Sequence, residues 1–299
     1  DPGMDVGDEV WYYSDNSADY SNKTTFWIAK GMQNSNEPLV DYWNGTQWGK
    51  AMFVGIRDCN VFIENIDKVP DLSAYDKETW KAEAKVLKAF YHFWMMRMYG
   101  PIPIIKENIP VSAGEDEVRV VRDKIDDIVT YIVSLIDESV EYLPLNIQNE
   151  AAEMGRITRP AAKAIKAKIL AFAASPFFNG NLDYANFKNA EGEPFFNQVY
   201  DNEKWTKAAD ACLEAIQCAE EAGHGLYEFV NMSSTQLSDE TILSLSNRCK
   251  VTERWNKELV WGCGQSGIRD LQVLCQPWLE SNYSSDDRYH NARNGTFAP

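Results

Sequence analysis

Two helical segments of opposite character constrain this chain more than any other feature. Residues 82–103 read AEAKVLKAFYHFWMMRMYGPIP and are heavy with aromatics, whereas residues 156–181 read RITRPAAKAIKAKILAFAASPFFNGN and are dominated by Ala, Ile and Leu. A bulky helix laid against a small-residue helix is how closely paired helical hairpins interdigitate. A chain carrying both is therefore expected to be built from packed helices.

In the first segment Trp80, Ala84, Leu87, Tyr91, Trp94 and Met98 recur at steps of four and three and fall on one stripe. Val86, Phe90 and Phe93 form a second stripe beside it, so a wide face is expected to be buried. Lys81, Glu83, Lys85, Lys88 and Arg97 are read as its solvated surface. Gly100 suits a helix C′ position, and Pro101 and Pro103 cannot continue the helix. The rings are read as core packing, not as a ligand site.

The second segment opens with Thr158 as N-cap and Pro160 in the first turn, where a missing N–H is tolerated. Its alanines (161, 162, 164, 167, 171, 173 and 174) let a neighbouring backbone come close, while Ile165, Ile169 and Phe172 fill the seam. Pro176 ends it, and Asn179-Gly180-Asn181 is a turn.

Further helices are predicted over 49–69 (Met52, Ile56, Cys59, Asn60, Phe62, Ile63, Ile66), over 118–143 (Val121, Ile125, Ile128, Ile132, Leu135, Ile136) and over 205–222 (Trp205, Ala208, Ala209, Cys212, Ile216, Ala219). Residues 1–48 read as loops with room for a short helix, 102–111 as extended, and 177–203 as a turn-rich insertion. Beyond 223 the pattern is broken and aromatic, with one candidate helix at 268–279. The fold class expected is mostly all-α, a tetratricopeptide-like helical hairpin scaffold with long irregular loop insertions. Residues 1–222 form the scaffold with its N-terminal loops, and 223–299 a loop-rich extension of the same domain.

Composition excludes several functions. A net charge of −16 over 299 residues argues against nucleic-acid binding, which needs clustered Lys and Arg. No run approaches the roughly 20 apolar residues that span a bilayer, and no signal segment opens the chain. The start DPGMDVGDEV and the end RNGTFAP read as the interior of something longer. Six cysteines show no CxxC and no His at ligand spacing, so no metal or other cofactor is expected. Cys59, Cys212 and Cys218 fall in helical patterns as small core residues, and Cys263 and Cys275 are the candidates for a bridge in an oxidising compartment.

Taken in order, WGKAMFVGIRDCNVFIENI, AEAKVLKAFYHFWMMRMYGPIPII and GRITRPAAKAIKAKILAFAASPFFNG resemble the SusD/RagB family of Bacteroidetes outer-membrane proteins. The first carries its Cys/Asn-aromatic-Ile pattern in Cys59, Asn60, Phe62 and Ile63. The second resembles its AEA-x-x-L-x-A-x-Y-x-F signature, and the third its Ala-rich helix after an Arg-Ile-Thr lead-in; together the blocks cover residues 48–180. The resemblance implies a surface-exposed lipoprotein of the outer membrane that binds glycans and caps a SusC-like TonB-dependent transporter, with helical repeats against the transporter and irregular loops on the polysaccharide. The lipid anchor is not in this chain. Family chains are longer, so a C-terminal portion is expected beyond it, and some members bind peptides or other nutrients.

That family's ligand residues vary, so candidates come from the chemistry of sugars. A pyranose offers apolar C–H faces and a rim of hydroxyls, which flat rings beside amides and carboxylates recognise. Tyr42, Trp43, Asn44 and Trp48 supply that mixture in a Gly-containing loop, and Trp278 with Asn282 and Tyr283 is a second candidate. The plain alternative for the first loop is a segment tucked down by two Trp anchors. Trp255 and Trp261 sit near apolar residues and rank lower. Two competing readings are a cytoplasmic peptide- or protein-binding repeat scaffold and a helical glycoside hydrolase using two carboxylates. No catalytic motif or residue is found, Glu83 reads as solvated or salt-bridged, and His92 as structural.

Overall fold

The computed structural model of the chain describes residues 11–12, 27–28, 30–46, 50–232, 234, 236–263 and 297–298. They fall in two compact units, one of residues 1–51 with 265–299 and the other of residues 52–264. In the first unit, β1 (Trp11–Tyr12) pairs antiparallel with β2 (Phe297–Ala298), Trp11 opposite Ala298 and Tyr12 opposite Phe297.

The second unit is the expected mostly helical scaffold. Its longer helices are α1 (Met52–Asn65), α2 (Ala74–Tyr99), α3 (Ile125–Asp137), α4 (Arg159–Ala174), α5 (Glu203–Glu221) and α6 (Asp239–Thr252). The first five pack in sequence order: α1 on α2, α2 on α3, α3 on α4, and α4 most extensively on α5. None of the described helices is long and apolar enough to cross a membrane.

Helix α2 begins eight residues before the aromatic run, capped by Ser73, whose Oγ accepts from the Asp76 N–H at 3.1 Å. It ends as expected at Gly100, with φ +69° and its N–H on the Met96 carbonyl at 2.9 Å. Its deepest stripe is Ala82, Val86, Ala89, Phe93 and Met96, while Trp80 and Met98 of the expected stripe are exposed. Lys88, expected on the surface, is buried and donates from Nζ to the Lys106 carbonyl at 2.6 Å. The reason is that α2 has α1, α3 and α4 on different sides, so no single face is the buried one.

Helix α3 starts at Ile125, later than expected, and Val121 is exposed. Its buried face is the expected Ile125, Ile128, Ile132, Leu135 and Ile136. Asp123, just ahead of the helix, is held by another segment instead: its N–H donates to the Ile102 carbonyl at 3.0 Å, and its carboxylate accepts from the Ile104 N–H at 2.7 Å. In α1 Ile56, Cys59 and Asn60 are buried as expected, but Phe62 is exposed.

Helix α4 has the expected cap, with Thr158 Oγ1 accepting from the Ala161 N–H at 3.4 Å. Helix α5 buries Ala208 and Cys218 as expected, but the rest of its buried face is Ala211 and Ala215, whereas Trp205, Ala209, Cys212 and Ile216 of the expected set are exposed. Ala211 and Ala215 meet Ala167, with Leu170 packed beside them. Only small side chains fit where two helix backbones approach this closely, so the large residues are turned outward. Helix α6, capped by Ser238, was not legible because it buries no residue fully and so carries no clean apolar period. The candidate helix at 268–279 and Cys275 lie outside the described residues; Cys263 is exposed with a free thiol.

Candidate functional site

The ring-bearing loop of the first unit is organised by Asp41. This residue is 3% exposed, and its Oδ1 accepts from the N–H groups of Trp43 and Asn44, both at 2.9 Å. Its Oδ2 accepts from the Thr46 hydroxyl at 2.7 Å. An aspartate that bonds the backbone two and three residues ahead is a self-made turn. Burial pushes the Asp41 carboxyl pKa up, but the bonds from Asn44, Thr46 and Trp43 outweigh it and hold it below the usual carboxylate value.

Gly45 closes the turn with φ +79°, and a Cβ there would stand 2.7 Å from the Ala51 nitrogen. Ahead of the turn, Gln33 clamps the approach, accepting from the Leu39 N–H at 2.7 Å and donating to the Val40 carbonyl at 3.2 Å. The outcome is a fixed turn with Tyr42 and Trp43 half-buried and Asn44, Gly45 and Thr46 exposed. Partly exposed rings beside an exposed amide and a hydroxyl are the groups that a sugar face and its hydroxyl rim require.

Of the candidates taken from the sequence, the structure brings Tyr42, Trp43 and Asn44 together on this turn. Trp48, Trp278, Asn282 and Tyr283 lie outside the described residues.

The second unit holds a cavity of about 430 Å³ whose lining includes Trp255, Trp261, His224, Glu150 and Lys257. Trp261 is fixed in place: its indole N–H donates to the Gly155 carbonyl at 3.0 Å, and its ring stands edge-on to Phe90 with centroids 5.7 Å apart. Trp255 occupies the left-handed region at φ +54°, in the turn that leaves α6. Asn256 caps that exit, donating from Nδ2 to the carbonyls of Lys250 and Glu253 at 2.8 and 2.9 Å. Gly262 lets the turn close, since a Cβ there would meet Leu259 at 3.0 Å and the Trp255 ring at 3.5 Å.

Arg156 forms another part of the wall, and its charge is spoken for. It pairs with Glu83 at 3.0 Å and Glu153 at 2.5 Å and lies over the Trp80 ring at 5.4 Å. Burial works against the Arg156 charge, but hydrogen bonds to Glu83 and Glu153 more than offset it and hold its pKa above the ordinary value. Glu83, read from sequence as solvated or salt-bridged, is the partner in this triad.

In the sequence alone Trp255 and Trp261 rank below the other aromatics. The signal was present in WNKELVW, the same ring-and-amide mixture as YWNGTQW, but Leu259 and Val260 between the two rings made it read as core.

A family model described as "Starch-binding associating with outer membrane", SusD-like, matches residues 4–170, more than half of the chain. The chain belongs to the SusD-like family. A SusD-like protein from Bacteroides ovatus is 31% identical over 99 residues, which is 33% of this chain and 16% of that protein. The solved structure of BT4246 is 30% identical with a TM-score of 0.67, covering 81% of this chain and 43% of its own. A laminarin-binding SusD-like protein superposes with a TM-score of 0.51 at 18% identity, covering 83% of this chain and 43% of its own, and so speaks to the fold. The chain thus spans less than half the length of these relatives.

Proposed function

We propose that this SusD-like chain is part of a non-catalytic, surface-exposed lipoprotein of the outer membrane that binds glycan and delivers it to a SusC-like TonB-dependent transporter. The observation that carries the reading is the match of its first helical blocks to a starch-binding, outer-membrane-associated family. The Asp41 turn supports it from geometry, because it fixes the backbone at Trp43 and Asn44, with the Tyr42 and Trp43 side chains half-exposed and Asn44 exposed beside them. Trp48, Trp278 and Tyr283 complete the proposed set of sugar-contacting residues.

A hydrolase reading finds less support. Glu83 and Glu153 both bind Arg156, which suits an ion triad better than an acid–base pair. Affinity electrophoresis and calorimetry of the full-length protein against a polysaccharide panel test the proposal. Binding to one or more glycans without release of reducing sugar is expected. Binding to peptides and to no glycan would replace this reading with a peptide-uptake one. Co-purification with the membrane-extracted transporter tests delivery.

A further inference from the structure

We propose that the cavity between Trp255 and Trp261 is a saccharide site in its own right, separate from the Asp41 turn, and that it takes an uncharged glycan. This rests on the glycan-binding reading above and adds a place and a ligand class to it.

The backbone at Trp255 is the first argument. A residue leaving a helix with positive φ is ordinarily glycine, which has no Cβ to clash, and a bulky aromatic there is an outlier. Helix capping does not need the indole, because the Asn256 side chain already satisfies the Lys250 and Glu253 carbonyls. Strain of this kind persists where the side chain it places is used. Here it places a ring in the wall of a cavity whose volume, about 430 Å³, lies within the range of roughly 300–1,000 Å³ typical of small-ligand sites.

The second argument is the chemistry of the lining. Trp261 is held by Gly155 and Phe90, so two indoles are present with at least one rigidly set. His224 lies with Nδ1 3.1 Å from the Lys257 carbonyl, so that nitrogen donates and Nε2 is an acceptor, one without a partner among the described residues. Rings for C–H faces and a hydroxyl-accepting imidazole make a sugar site.

Charge selects the class of sugar. Arg156 is neutralised by Glu83 and Glu153, and Lys257 and Glu150 offset one another in the lining. With no cation in surplus and a chain net charge of −16, a polyuronate is repelled and an uncharged chain is not. The volume admits a few rings at most, so a chain end or side branch enters while the rest of the polymer stays outside.

The test is calorimetry of the full chain with neutral glucans, mannans and xylans, with polygalacturonate, and with a peptide digest, on the wild type and on Trp255→Gly and Trp43→Ala. Glycine suits φ +54°, so Trp255→Gly removes the ring while relieving the backbone, and its thermal stability is expected to be retained. Its affinity for the neutral glycan should fall at least roughly tenfold, as for a buried aromatic anchor. Wild-type hydrogen exchange supplies a readout independent of any variant: saturating glycan should protect residues 254–262. Undiminished binding by Trp255→Gly, or no protection there, would overturn the cavity while leaving the glycan reading intact. Preference for polygalacturonate would overturn the assignment to uncharged chains. Binding of peptides and of no glycan would remove both proposals.

Discussion

The indole N–H of Trp261 donates to the carbonyl of Gly155 at 3.0 Å, joining positions 106 apart in the chain. This bond ties the segment after α6 to the turn that leads into α4. Replacing Trp261 with Phe keeps an aromatic face toward Phe90 but leaves the carbonyl without its donor. The expected loss is about 1–2 kcal/mol, read as a fall in Tm of roughly 3–6 °C for a unit of this size. An unchanged Tm in a thermal melt would mean water replaces the indole without penalty.

Arg156 should be costlier to remove. It holds Glu83, whose side chain is 17% exposed, and Glu153 together, and it covers the Trp80 ring. Arg156→Ala leaves the half-buried Glu83 carboxylate unpaired, with an expected destabilisation of about 1–3 kcal/mol. Adding Glu83→Gln removes the stranded charge and should recover part of that loss. Denaturant melts of both variants measure the difference, and purely additive losses would show that the pair is not coupled.

The α4–α5 contact makes the opposite demand, for smallness. Ala211 and Ala215 are buried against Ala167, so Ala215→Leu should destabilise by about 1–3 kcal/mol through overpacking. Ile216, one residue on, is 55% exposed, and Ile216→Ala should change stability by no more than about 0.5 kcal/mol. Parallel urea melts decide it, and reversed sensitivities would mean that α5 faces the other way.

Those neighbouring positions show where the sequence was readable and where it was not. Stops and caps are set by a few local atoms, so Thr158, Gly100 and the buried Ile128-Ile132-Leu135 face of α3 follow from local spacing. Which face of α5 is buried depends on how near α4 comes, and a hydrophobicity pattern ranks Trp205 and Ile216 above alanine without knowing that distance. The late start of α3 depends on residues 101–104 taking up the Arg122 side chain and the backbone N–H and carboxylate of Asp123, tertiary bonds with no local period. Helix α6 buries nothing fully and so gave no stripe. At the candidate sites, the sugar-suited mixture at 42–44 was visible as residue types, but the positive φ of Trp255 is a backbone fact that no composition displays.

His92 gives the protein a pH-dependent term of known sign. It is fully buried, its Nδ1 on the Lys88 carbonyl at 2.8 Å and its Nε2 accepting from the Ile105 N–H at 3.2 Å. Burial lowers its pKa from 6.5 to about 4, the Lys88 carbonyl opposing only in part. The unfolded chain therefore binds a proton that the folded chain refuses between these values, and stability is lost as pH falls from about 6.5 toward 4. The full effect is on the order of 3 kcal/mol, taking about 1.4 kcal/mol per pKa unit. His92→Gln should be less stable at neutral pH yet show a flatter slope across that window in urea melts. An unaltered slope would assign the acid sensitivity to other groups.

The Asp41 turn couples structure to the proposed function most directly. Its carboxylate receives bonds from Trp43, Asn44 and Thr46 at once, so Asp41→Ala releases three donors and the ring-bearing residues between them. Local order at Trp43 should be lost, visible as a red-shifted, more quenchable indole emission, while the melting of the helical unit stays within about 1 kcal/mol of wild type because the two units are separately compact. Glycan affinity should drop roughly tenfold, since rings that were pre-set must now be ordered by the ligand. Gly45→Ala should act in the same direction through the backbone, its Cβ pressing on Ala51 from a positive φ. If both variants lose the local order at Trp43 yet bind glycan as tightly as wild type, this turn supports the fold of its unit and the sugar is held elsewhere.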